Sequence, residues 1–110
     1  MKLPGGDNAI VDDQKLVGYC LDPDHPRGKH KARVFRRALG FTAEEADELR
    51  RLLLSAAANS DATHSGSDAF GDRYVVEFEA NGPKGSGIVR SFWILRTGET
   101  TPRLTSCYVK

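Results

Sequence analysis

A chain of 110 residues, 39% apolar and 28% charged, with a formal net charge of +1, has the composition of an ordinary globular protein. Its length allows one domain with a single modest core and excludes two separately folded units. No apolar run approaches the roughly 20 residues that cross a bilayer, and the N-terminus lacks the apolar stretch of a signal peptide, so we expect a cytoplasmic protein with no membrane partner.

Helices are predicted in the first half of the chain, over about residues 12–59. Asp12 or Asp13 can cap a short helix that runs to Cys20. Residues 21–28 contain two prolines and a glycine, which predicts a loop. The sequence therefore predicts a short first helix followed by a loop.

Two further helices have recognisable ends. One is predicted over residues 29–39, with Gly40 placed to end it. Thr42 and Glu45 then have the spacing of a capping box, which marks the start of the next helix. The apolar stripe of that helix, which ends near Asn59, is formed by Leu49, Leu53, Ala56 and Ala57.

Strands are predicted in the second half, over about residues 73–109. Residues 61–72 are polar and rich in glycine and serine, which predicts a mobile loop. Alternating runs separated by tight turns follow, and they predict an antiparallel meander with strands at 74–79, 87–96 and 103–109. Helices followed by strands indicate an α+β domain, with the helices packed on one face of the sheet.

Positive charge is concentrated in Arg27–Arg37, the basic block, which contains six basic residues, a histidine and no acid. Such a segregated charge indicates an anionic partner. Lys31 is unusual, because it lies within about 50° of the centre of the helix's apolar stripe, one turn before Phe35. Its ammonium must either reach out to solvent or project into a cleft between helix and sheet. The other charged positions lie on the outer face or its flanks: Lys29, His30, Arg33, Arg36 and Arg37.

Arg90 is a second charge at an apolar position, because it interrupts a strand face between Ile88 and Phe92. An unpaired arginine there is costly, so it needs a partner. Two alternatives stay open. The partner is either a carboxylate on the neighbouring strand, Glu77 or Glu79, or the phosphate of a ligand.

The histidines and cysteines suggest little metal chemistry. His30 adjoins two lysines, whose charge favours its neutral form, so it suits a general base if it faces a cleft. His25 lacks a third ligand at metal-binding spacing, and His64 is expected in solvent, so we expect no metal and no cofactor. Cys20 and Cys107 are expected to be free thiols, although a disulfide between them stays open.

Longer motifs resemble those of a family of small bacterial domains of uncharacterised function. These domains occur alone and as C-terminal modules of polymorphic toxins and phage-associated proteins. Their helix-then-meander layout is similar to the barnase–EndoU–colicin–RelE group of metal-independent ribonucleases and toxins. The segments that carry the resemblance are Tyr19–Gly28, Lys31–Phe35, Leu39–Phe41, Tyr74–Val76, Gly82–Pro83, Val89–Ile94 and Pro102–Tyr108.

The resemblance implies a toxin that cleaves RNA without a metal. Lys31 and Arg90 would then hold the scissile phosphate. Thr105 or Tyr108 would orient the phosphate or the 2′-hydroxyl, and His30 would transfer protons, with His25 as the other choice. The residues expected to bind the substrate around them are Arg103, Arg33, Arg37, Lys29 and His25.

The alternative hypothesis is a non-catalytic interaction module whose basic helix face binds an acidic protein partner. In that case Lys31 and Arg90 form internal ion pairs. The ribonuclease hypothesis instead predicts RNA as the substrate and a cognate antitoxin or immunity protein as a partner.

Overall fold

All three helices come before the sheet, as the sequence predicts. The computed structural model describes residues 1–110. The first two helices each begin as an α-helix and end in a wider π-helical turn, and a 3₁₀ turn precedes the third. None of them combines the length and the apolar character needed to span a membrane. The elements are α1 (Asp13–Lys15 and Leu16–Cys20), α2 (Lys29–Val34 and Phe35–Leu39) and α3 (Ala46–Asn59, after the turn Ala43–Glu45).

The predicted helix ends are confirmed at Gly40 and before α3, but not at α1, where Asp12 occupies the N-cap position without a side-chain hydrogen bond to the helix. Gly40 follows α2 with a φ of 79°, a left-handed conformation that glycine adopts without strain. The backbone N–H of Thr42 donates to Oε1 of Glu45 at 2.8 Å, and Oγ1 of Thr42 accepts from the N–H of Glu44 at 3.3 Å. The capping box before α3 is therefore confirmed.

The sheet is an antiparallel meander, in which each strand pairs with the next one along the chain. The predicted α+β fold is confirmed. The turn between the second and third strands contains only Pro83 and Lys84, and a bulge at Thr105 interrupts the last pairing. The strands are β1 (Ala62–Asp68), β2 (Gly71–Gly82), β3 (Gly85–Arg96) and β4 (Arg103–Val109).

The prediction of a loop over residues 61–72 is wrong, because this segment forms β1 and the turn into β2. The sheet therefore begins at Ala62 rather than near residue 73. β1 is an edge strand, and only Ala62 in it is buried, so its sequence shows no apolar alternation. His64 is half-exposed, as predicted for a solvent residue, and its ring lies 5.2 Å from that of Tyr74.

The helices cover one face of the sheet. Val89, Ser91 and Trp93 of β3 point into this face and are at most 1% exposed. Phe35 of α2 and Leu53 of α3 pack in the same core and are fully buried. Because side chains alternate along a strand, the residues between Val89, Ser91 and Trp93 point to the opposite face, which no helix covers.

The N-terminal segment runs beside β4. Ile10 donates its N–H to the carbonyl of Pro102 and accepts from the N–H of Leu104, both at 2.9 Å. These bonds form a parallel bridge with Arg103. Part of the outer edge of β4 is thus paired with the chain's own backbone.

Candidate functional site

Arg90 forms an ion pair on the face of the sheet that the helices leave open. Its neighbours Val89 and Ser91 point into the core, so its own side chain points the other way. Its Nε lies 2.8 Å from Oε2 of Glu77, directly across on β2, and one of its terminal nitrogens donates to the hydroxyl of Tyr108 at 3.2 Å. The strand carboxylate that pairs with Arg90 is therefore Glu77.

Lys31 lies on the opposite side of the sheet. It is half-buried on α2, and its Nζ donates to the hydroxyl of Tyr19 on α1 at 2.7 Å. The ammonium also lies 4.8 Å from the centre of the Tyr19 ring. Lys31 and Arg90 are therefore separated by the sheet, and they do not form the shared phosphate site that the ribonuclease hypothesis assigned to them.

The other proposed catalytic residues do not join Lys31 either. Thr105 donates its hydroxyl to the carbonyl of Phe92 at 3.2 Å, beside the bulge. Tyr108 accepts from Arg90, and its ring lies 5.7 Å from that of Phe92 on the open face. His30 is exposed on the outer side of α2, as the helical wheel indicates. The predicted catalytic set is thus divided between two faces.

Arg103, proposed to bind substrate, lies on β4. Its Nε is 3.6 Å from Oε1 of Glu99, and the residue is only half-exposed. This pairing places it beside the turn between β3 and β4, at the opposite end of β3 from the turn that joins β2 and β3.

Glu77 gives a test of the open-face ion pair through pH. Lys110 and Arg90 donate to its carboxylate and hold its pKa below the ordinary value of 4.5. Because the folded-state pKa is the lower one, the stabilising contribution is present above the ordinary pKa and is lost as the pH falls through the folded-state pKa. We expect Glu77→Gln to lower the melting temperature near neutral pH and to have no effect at about pH 2. An equal loss at both pH values, measured by circular dichroism, would contradict this role.

The exposed cations of the basic block lack carboxylate partners. Most arginines elsewhere in the chain are paired, with Arg96 as the exception. The paired ones are Arg50, Arg51, Arg73, Arg90 and Arg103. No ion pair is formed by the exposed members of the block: Arg27, Lys29, Arg33, Arg36 and Arg37.

Four cations line one groove along the end of α2, and we name them the basic track: Arg33, Arg36, Arg37 and Lys84. Lys84 belongs to the turn between β2 and β3, and its N–H donates to the carbonyl of Leu39 at 3.1 Å. This hydrogen bond brings the turn against the end of α2. Sequence reasoning missed Lys84, because nothing near it in the chain indicates which helix the turn approaches.

A larger cleft adjoins the basic track and shares Arg33 and Arg36 with it. We name it the apolar cleft; its volume is about 500 Å³. Its floor contains the buried side chains of Leu21 and Phe41, and Glu44 lies on its rim. The cleft therefore combines an apolar floor, a cationic rim and one carboxylate. The other lining residues are Pro23, Lys29, Ala32, Thr42 and Ala43.

A second cleft, the Tyr19 cleft, lies between α1 and the following loop and has a volume of about 550 Å³. His25 lines it, with its ring edge-on to Tyr19 at 4.9 Å. Sequence reasoning placed His25 among the substrate-binding residues but missed Tyr19, whose contact with Lys31 depends on how α1 packs against α2. The lining residues are Gln14, Lys15, Gly18, Tyr19, His25 and Arg27.

The two cysteines are free thiols, buried against each other between α1 and β4. The backbone N–H of Cys107 donates to Sγ of Cys20 at 3.4 Å. A hydrogen bond from the thiol of Cys107 lowers the pKa of Cys20, and the same contact and burial raise the pKa of Cys107. Nowhere in the chain do three His, Cys, Asp or Glu side chains lie together as a metal site.

Comparison with known proteins gives a family but no function. A family model described as "Domain of unknown function (DUF6883)" matches residues 2–110, nearly the whole chain. No curated protein and no solved structure matches the chain significantly.

Proposed function

Because the chain belongs to the DUF6883 family of domains of unknown function, its function has to be argued from its own residues, and we propose that it binds single-stranded RNA through the basic track and the apolar cleft. The observation that carries this proposal is the pairing of the cations. Most arginines outside the basic block have a carboxylate partner, whereas Arg33, Arg36 and Arg37 have none.

Electrostatics supports an anionic partner for the basic track. Arg33, Arg36, Arg37 and Lys84 repel one another, and no carboxylate lines their groove to offset this repulsion. A bound polyanion would remove it and release counterions. Guanidinium groups suit phosphates in particular, because their planar N–H groups can donate to two phosphate oxygens at once.

The apolar cleft favours RNA over an acidic protein. Its exposed apolar residues Pro23 and Ala43, which lie over the buried Leu21 and Phe41, can accept the flat apolar face of an unpaired base. Arg33 and Arg36 on the shared rim can hold the neighbouring phosphate. Glu44 on the rim can accept hydrogen bonds from the amino group of a base. Asp and Glu side chains, which an acidic peptide of the alternative interaction module would present, offer no such flat apolar face.

Fluorescence anisotropy with a short, labelled single-stranded RNA tests the proposal. We expect saturable binding, and the logarithm of the association constant should fall linearly with the logarithm of salt concentration, with a slope of roughly −2 to −3 for three or four neutralised phosphates. Two matched competitors are a double-stranded RNA of the same sequence and poly-glutamate of similar charge. If poly-glutamate competes as well as the RNA does, the RNA proposal fails and the acidic-partner module is favoured.

RNA cleavage is a second candidate function, and the contact of Lys31 with Tyr19 favours it. The ammonium of Lys31 and the ring of His25 both contact Tyr19, so a cation and two proton-transfer groups surround one side chain, and Tyr19 and His25 line the same cleft. This second proposal includes a toxin role, in which a cognate antitoxin or immunity protein would be a partner. It also includes a cytoplasmic location, because two free thiols fit a reducing compartment. The RNA recovered from the binding assay decides between the functions, because an intact RNA on a denaturing gel excludes cleavage.

A further inference from the structure

The Tyr19 cleft is lined by two cations, Lys15 and Arg27, that have no carboxylate partner elsewhere in the fold. Lys15 and Arg27 form no ion pair. No carboxylate lines the cleft, so nothing in its wall neutralises these two cations. The cleft is therefore a site of uncompensated positive charge.

The hydrogen bonds around the cleft leave donors free within it. Nδ1 of His25 accepts the N–H groups of Arg27 at 3.0 Å and Gly28 at 2.9 Å, so the proton of the neutral ring is on Nε2. Nε2 makes no hydrogen bond within the chain. The hydroxyl of Tyr19 accepts from Lys31, which leaves its own proton available. A ligand with several acceptor oxygens matches this set.

Gly18 is a second, independent observation. It lies in the π-helical part of α1, where glycine costs about 0.5–1 kcal/mol relative to alanine. Its φ is not positive, so its backbone conformation does not require glycine. A Cβ at this position would contact only Cβ of Gln14, at an ordinary 3.9 Å, so packing does not require glycine either. What the missing side chain does provide is space in the wall of the cleft.

We propose that the Tyr19 cleft binds a phosphate monoester, with Lys15, Arg27 and His25 as its donors and with Gly18 leaving the space that the ligand occupies. The dianion of a monoester offers three terminal oxygens and two negative charges, which match the free donors and the two unpaired cations.

This site is separate from the basic track. Lys31, which contacts Tyr19, is two residues from Lys29 and from Arg33 on α2, and each of these is displaced from it by about 160–200° around the helix. The two anion sites therefore lie on different sides of α2. The proposal does not depend on RNA binding by the basic track.

The test is a titration of the ¹⁵N-labelled protein with phenyl phosphate, followed by amide chemical shifts. We expect saturable shifts at Gly18, Tyr19 and Arg27. Lys15→Gln and Arg27→Gln should each weaken binding roughly threefold to tenfold. Arg96→Gln is the matched control: it also removes one exposed cation that forms no ion pair, but Arg96 ends β3 and lines neither the Tyr19 cleft nor the basic track and apolar cleft, so it should leave the affinity unchanged.

Gly18→Ala is the decisive variant. It should keep or raise the melting temperature while it weakens phenyl phosphate binding by at least about threefold, because the added methyl fills ligand space. Wild-type affinity in Gly18→Ala would overturn the proposal. So would shifts confined to Arg33–Arg37, an outcome that leaves the proposed RNA function intact.

Discussion

Arg33→Glu/Arg36→Glu is expected to weaken binding of single-stranded RNA by about 100-fold or more at low salt. Both arginines line the basic track and the apolar cleft, so the two changes remove cations from both parts of the proposed interface. The glutamates add repulsion of the phosphates. The salt dependence should also become shallower, by roughly 0.7 in the logarithmic slope for each phosphate that the protein no longer neutralises. Anisotropy titrations over a range of salt concentrations measure both effects.

The control is Arg51→Glu/Arg96→Glu, which changes the net charge by the same amount. Arg51 is on α3 and Arg96 ends β3, and neither lines the basic track or the apolar cleft. If binding reflected only the net charge of the molecule, the two double variants would bind alike. That result would remove the case for a defined interface on α2.

Phe35→Ala is expected to destabilise the fold by about 3–5 kcal/mol. Phe35 is fully buried in the core that α2 shares with the sheet. Removing the ring leaves a cavity between these layers and also forfeits the transfer free energy of the ring. The free energy of unfolding of a typical domain is about 5–15 kcal/mol, so this loss would be a large part of it. Urea unfolding followed by circular dichroism measures it.

Val34→Ala is the matched comparison, because Val34 is the preceding residue on the same helix and is 39% exposed. We expect it to change the free energy of unfolding by no more than about 0.5 kcal/mol. Similar destabilisation in the two variants would mean that α2 does not pack on the sheet in the way described.

Elements whose ends are set by nearby residues could be predicted from the sequence. Gly40 and the Thr42–Glu45 capping box depend on interactions within a few residues, and both are found. The alternation of β3 depends only on which side chains face the core. β1 could not be found in this way, because pairing with β2, and not its own composition, makes Ala62–Asp68 a strand.

The contacts of the two charges at apolar positions, Lys31 and Arg90, were predictable only where the partner lies on an adjacent strand. A carboxylate for Arg90 could be sought on β2, and Glu77 is that partner. The partner of Lys31 could not be found, because Tyr19 reaches it only once α1 and α2 have packed together. The exposed cations of the basic block followed from helical periodicity, which places them opposite the buried Phe35 or to its flanks.

The polar composition of β1 also bears on how copies of the protein meet. A strand at the edge of a sheet offers unpaired N–H and C=O groups to which a strand of another molecule can add. At one end of this sheet, Ile10 already occupies part of that position beside β4. At the other end, β1 offers almost no apolar surface to a second molecule, since every residue of it except the buried Ala62 is polar or glycine. The composition that hides β1 from sequence analysis thus also makes it a poor template for aggregation.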